Sequence, residues 1–374
     1  MDRRADVRRH DDPDQLRLRR DADRYGQRLA GRDHARHSQH LLGDVRGFHE
    51  DGIACRGIHR RRERNRRDRS IYDHRNLDDE EREDQVTLHP YVRIFLSVAC
   101  CLAIFAAFAG AYELFGAMDD VLNDSRFLQA HNIGFGAAWV AVTFLLFRKL
   151  DRKKPRELGF GFDRRDAMFL LCSVAISFAF AAGFAAALHQ WTTVRVGVRT
   201  ELLRSESFYL LLLLSCFGWA AAALKEEVLA RGYIMYQLRR LGVGGMIAGS
   251  SVLFMVIHFP NGIEWTKAAS WLLGGVLYGY IYLKSGSLTV STGAHGIHNL
   301  VNELFLSRAD DFAWLALSGK VDGGDKLIYE VVLKLVLLAL TYRMYRRTGG
   351  VLTPADNLTK LWGRHGGMKP QEST

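Results

Sequence analysis

The chain has 374 residues, a formal net charge of +10 and 48 % hydrophobic residues, averages that on their own would describe an ordinary basic soluble protein. They mix two unlike compositions. Up to about Gln85 the residues are mostly Arg, Asp, His, Gly and Glu, whereas from Val92 onward apolar runs dominate. The five cysteines, Cys55, Cys100, Cys101, Cys172 and Cys216, form no CxxC or mixed His/Cys spacing, so neither a disulfide framework nor a structural zinc site is indicated. Four of them fall inside apolar runs and read as small apolar residues.

Residues 1–88 contain no lysine, and the first in the chain is Lys149. Arginine, aspartate and histidine carry the charge, in runs such as Arg60-Arg-Arg-Arg-Glu-Arg, without hydrophobic periodicity. Such a stretch cannot bury enough apolar surface to offset chain entropy, so it is expected to be disordered. Arginine without lysine also resembles an out-of-frame translation of GC-rich DNA, and a start placed too far upstream is the favoured expectation. Nucleic-acid binding is disfavoured, because no folded basic face or aromatic platform accompanies the arginines.

Beyond this region, apolar segments of membrane-spanning length are predicted at 93–117, 131–148, 166–188, 208–236, 244–260, 268–284, 288–306 and 326–345. The fold class expected is all-α, a polytopic membrane helix bundle of about eight helices. Closely spaced Gly and Ala, as in Phe178-Ala-Phe-Ala-Ala-Gly-Phe, suit helices that pack closely. Basic residues follow the second, fourth, sixth and eighth segments: Arg148 to Arg156, Arg239-Arg240, Lys284 and Arg343 to Arg347. One side of the bundle is therefore basic, which predicts a cytosolic face holding both termini. The domain reading is a polar N-terminal extension over 1–88, a membrane bundle over 89–348 and a polar C-terminal tail over 349–374.

Within the fourth segment an apolar run from Leu210 leads directly into the adjacent carboxylates Glu226-Glu227, with Arg231 four residues after the second. Ionisable groups at membrane depth are costly and mark a functional site unless they lie at a solvated helix end. Glu227 and Arg231 share a helix face and can form an ion pair, while Glu226, turned by about 100°, faces elsewhere. Phe254 and His258 close the fifth segment on a common face, and His295 and Asn299 stand one turn apart in the seventh. Each alone reads as helix-packing glue. Together they supply a carboxylate, two imidazoles and a carboxamide from three helices. His298 projects elsewhere, and Glu303 and Glu330 are expected near the far interface, in solvent. A desolvated glutamate can take a proton from water, His258 can steer that water, and His295 and Asn299 offer N–H donors to an oxyanion. No HExxH helix and no nucleophile beside a base occurs, so direct attack by water is the simplest use of the set.

The ordered motifs Glu226-Glu227-x-x-x-Arg231, Phe254-x-x-x-His258 and His295-x-x-x-Asn299 resemble the CPBP family of intramembrane glutamic endopeptidases, which includes the CAAX prenyl proteases and bacteriocin-processing proteins. The resemblance is strong over 208–306. It implies that Glu226 is a general base assisted by His258, that His295 and Asn299 form an oxyanion pocket, and that Glu227, Arg231 and Phe254 support this geometry. It implies a peptide or lipidated-protein substrate in the membrane and no cofactor, with zinc held by one Glu and two His as the variant. Departures are His298, an additional imidazole, and Phe259-Pro260, which should end or kink the fifth helix. A non-catalytic scaffold and a proton-coupled transporter are the other classes considered. The expected location is a cell membrane, that of a bacterium, with no nucleic-acid partner.

Overall fold

The computed structural model describes residues 88–306, 312–346 and 350–363. The expectations for residues 1–87 lie outside them. Helix α1 (Pro90–Phe115) begins with proline in its first turn, where the missing N–H costs nothing, and ends on Gly116 in the left-handed conformation. A short helix, α2 (Met118–Asn123), leads to α3 (Ser125–Leu150), capped by Asp124. Helix α4 (Arg164–Trp191) starts with a reciprocal box between Asp163 and Asp166. Strand β1 (Arg195–Val198) precedes α5 (Glu206–Glu227), which continues as a π-helix over Val228–Ile234 and a short α6 (Met235–Gln237). Then come α7 (Gly242–Val256), α8 (Trp265–Ser285), α9 (Leu288–Leu306), β2 (Leu315–Ser318), α10 (Gly323–Tyr345) and α11 (Asp356–Trp362).

All eight expected segments are thus helical, and the architecture is an all-α bundle with one two-stranded ribbon among the described residues. Among the described residues, four stretches are both long and apolar enough to cross a membrane: Pro90–Phe115, Ser125–Leu150, Arg164–Trp191 and the continuous Glu206–Val256. Helices α8, α9 and α10 miss that apolarity because they carry the polar side chains described below. Large apolar residues such as Phe95, Leu114, Leu171, Leu210 and Phe217 are exposed on α1, α4 and α5. That outward apolar surface is what a lipid solvent requires.

Helix α5 is central, packed on α3 at one side and α9 at the other, while α8 joins α7, α9 and α10. Close approach depends on missing side chains. A Cβ on Gly136 of α3 would stand 2.9 Å from the Ala221 carbonyl oxygen of α5, and one on Gly275 of α8 would stand 2.7 Å from Ser251 Cα of α7.

The ends of the bundle sort as the loop charges suggested. At one end the Asp151 carboxylate binds Arg93 of α1 and Gln237 of α6, tying the start of the first segment to the ends of the second and fourth. At the same end the Leu288 amide donates to Gly159, and Lys284 donates to the Gly350 and Thr353 carbonyls. At the other end β1 pairs antiparallel with β2, Arg195 opposite Ser318, joining two connectors predicted to share that side. The ribbon had no expectation behind it; strands this short carry little periodicity. Residues 350–363, read from sequence as part of a polar tail, instead hold α11, whose Leu358 and Trp362 are buried against the second loop and its neighbours. Cys100, Cys101, Cys172 and Cys216 are free thiols, and Cys216 faces outward rather than into the core.

Gly275→Ala forces α7 and α8 apart at a backbone contact. A loss of about 1–3 kcal/mol is expected, read as a lower thermal unfolding midpoint in detergent.

Candidate active site

Helix α7, the fifth predicted segment, stops at Val256 and a 3-10 turn with Pro260 follows, as the Phe259-Pro260 pair predicted. At about 1.5 Å per residue its 15 residues span only about 22 Å, short of a bilayer core of about 30 Å. His258 lies in this break, and the irregular backbone borders a hollow, the one setting in which a membrane tolerates it.

That hollow is a cavity of about 850 Å³ whose wall includes Glu226, Phe254, His258, His295 and Asn299. Four of the named residues thereby meet with their aromatic neighbour in one space. Glu226 Oε2 lies 3.6 Å from His258 Nε2 and 3.7 Å from His295 Nε2. Its other oxygen, Oε1, is 3.1 Å from Lys225 Nζ. His258 Nδ1–H donates to the Phe254 carbonyl at 2.7 Å, which leaves the Nε2 lone pair for the cavity. The ring stacks on Trp271 at 5.2 Å.

Glu227 points the other way and is fully buried, as is Arg231 at 1 % exposure, so a solvated helix end is ruled out. Glu227 Oε1 accepts from Arg231 at 3.0 Å and from His295 Nδ1 at 2.9 Å; Oε2 accepts from Ser291 Oγ at 2.5 Å. Arg231 also donates to the Gly274 and Gly275 carbonyls and stands over the Phe254 ring at 4.5 Å. His295 therefore bridges the two glutamates, Nδ1 to Glu227 and Nε2 toward Glu226, with its ring stacked 4.3 Å from Tyr278. Asn299 reaches the cavity one turn further along α9.

The expectation that Glu330 is solvated is overturned. It is 4 % exposed and accepts from Lys334 at 2.6 Å and from Asn302 at 3.2 Å, with His298 Nε2 3.1 Å away. Position along the chain suggested an interface, but a carboxylate four residues before a lysine in one helix can be neutralised in the interior. Glu303 is half-buried rather than exposed. His298 pairs with Glu330, and both line the same cavity as Glu226.

Sequence reasoning missed Ser291, Tyr278, Trp271 and the contact made by Lys225. Ser291 stands one turn before His295 on α9, a spacing that offered a signal; the tyrosine and tryptophan stand among many aromatics and offered none.

Residues 206–301 match the family described as type II CAAX prenyl endopeptidase Rce1-like. This segment is similar to that family. The match runs from the first residue of α5 into α9 and contains Glu226, Glu227, Arg231, Phe254, His258, His295 and Asn299. It agrees with the CPBP resemblance read from the three motifs, and with the apolar helices it supports a CAAX-type protease in a membrane. No curated protein and no solved structure matches the chain.

Arg231→Lys keeps the charge of the Rce1-like segment's buried cation but loses the fork that reaches Glu227 and the carbonyls of α8 together. A stability loss of about 1–3 kcal/mol is expected in chemical or thermal unfolding of the purified protein.

Proposed function

We propose that the protein is an intramembrane endopeptidase in which Glu226 and His258 activate a water molecule that attacks the peptide carbonyl. The observation that carries this reading is the approach of both imidazole Nε2 atoms to one oxygen of Glu226, at 3.6 and 3.7 Å, on the wall of a large cavity. A water at hydrogen-bond distance, about 2.8 Å, from both Glu226 Oε2 and His258 Nε2 closes a triangle on their 3.6 Å edge. Glu226 takes its proton as the hydroxide oxygen bonds to the carbonyl carbon. The C–N bond then breaks and the same proton passes to the leaving nitrogen, giving a carboxylic acid and an amine.

Charge that develops on the carbonyl oxygen needs donors already aimed at it. Asn299 offers its amide hydrogens in every protonation state. His295 gives Nδ1–H to Glu227, so its Nε2 donates only when the ring carries both protons. Asn299 is accordingly the main donor in this reading, with His295 oriented by Glu227 as its partner. Glu227, Arg231 and Phe254 hold the frame.

The Rce1-like match supports a prenylated protein or peptide as substrate. The gathering of the basic loops at one end supports a multi-pass protein whose termini lie in the cytosol. We take the reaction to need no metal ion.

Glu226→Gln is expected to abolish cleavage of a prenylated CAAX reporter peptide while leaving the unfolding midpoint near wild type; undiminished turnover would remove Glu226 as the base. In the same assay Asn299→Ala should lower kcat by about 10²–10³ with little change in KM. Protein stripped with a chelator and shown metal-free by elemental analysis is expected to keep full turnover, and recovery only on adding zinc would favour ligation by Glu226, His258 and His295 instead.

A further inference from the structure

Lys225 belongs to none of the three motifs, yet its ammonium touches the carboxylate on which the proposed reaction depends. Consecutive helical residues diverge by about 100°, so Lys225 does not share the large cavity with Glu226. It lines a separate cavity of about 170 Å³ together with His131, Phe135 and Trp139, and Glu226 and His258 form part of both walls. Within that smaller space Nζ lies 3.1 Å from Glu226 Oε1 and 5.5 Å from the centre of the Phe135 ring. The Lys225 side chain is only 11 % exposed, so neither contact is a loose surface pairing.

The charges around Glu226 can be taken element by element. From α5 it meets Lys225; from the turn after α7, His258; from α9, His295. Glu227, next along α5, is balanced by Arg231 of the π-helix. His131 of α3 shares the smaller cavity, with its Nδ1 2.8 Å from the Tyr112 hydroxyl. With the histidines neutral, the four permanent charges cancel, and among the described residues Lys225 is the fixed cation in contact with Glu226.

We propose that Lys225 is a positioning residue for the reaction: it captures Glu226 Oε1 from behind, presents Oε2 to the two imidazoles, and keeps the carboxylate ionised and ready to accept a proton. This rests on the reading of Glu226 as the base. An opposite charge at this distance favours the ionised form of an acid, and the two side chains are both largely buried, which limits solvent screening between them. Without the cation, Glu226 and Glu227 would share one arginine, and the carboxylate facing the cavity would be the easier to protonate.

The test compares kcat/KM against pH for wild type, Lys225→Met and Lys225→Arg on a prenylated CAAX reporter peptide, with Lys225→Gln as companion if the methionine variant does not accumulate. The neutral variants are expected to move the acid limb of the profile to higher pH by about one unit, so that activity falls about tenfold below the limb and recovers above it. Lys225→Arg should bring the limb back toward its wild-type position. A uniform loss across the pH range, or a limb that stays in place in the neutral variants while Glu226→Gln is inactive, overturns the role of Lys225 and leaves the base assignment standing. Turnover retained by Glu226→Gln overturns the base assignment itself and the role of Lys225 with it.

Discussion

Glu227 is a carboxylate with no exposed surface, and both of its oxygens are occupied by donors from two other segments: Arg231 from the π-helix, and Ser291 and His295 from α9. A charge taken into so apolar an interior costs several kcal/mol unless each lone pair finds a partner. The partners converge only when α5, the π-helix and α9 adopt one relative register. Arg231 extends the constraint by donating to the Gly274 and Gly275 carbonyls, which brings in α8 where it already lies against α7. One buried ion pair thus aligns the segments that bear the candidate catalytic groups.

The reactive geometry follows from that alignment. With Glu227 committed to the interior, its neighbour Glu226 turns toward the cavity, and His295, held at Nδ1 by Glu227, presents Nε2 there. His258 is fixed by a separate device. It stands in the turn after α7, which ends early, before Pro260, and the Phe254 carbonyl of that helix locks the ring. Termination of a helix inside the bundle would be costly facing lipid; here the freed backbone borders a polar hollow. A second network of His298, Asn302, Glu330 and Lys334 lines the same hollow and ties α9 to α10, so the cavity is polar on more than one wall.

Much of this was legible from residues alone. Hydropathy located the eight helices to within a few residues at most ends, because length and apolarity are local properties. Helix geometry alone separated the two glutamates, assigning Glu227 to Arg231 and Glu226 to another partner, and the resemblance of three motifs to the CPBP family agrees with the match over 206–301. Boundaries that depend on capping shifted: α3 starts at Ser125 rather than 131 because Asp124 caps it, and α7 stops at Val256.

The sequence by itself determined the class of the protein, the order of its helices, which charged residues had to be paired and which end of the bundle is basic, since each of these follows from composition and from the fixed 3.6-residue turn. Only the tertiary structure decided who the partners are. That Ser291 and His295 close the shell of Glu227, that Lys225 leans on Glu226, and that Glu330 is buried with Lys334 rather than solvated are outcomes of helices meeting in space. The π-helix over Val228–Ile234 belongs to the same category, because an extra residue in a turn is selected by the contacts it permits across helices and leaves no periodic mark on the chain.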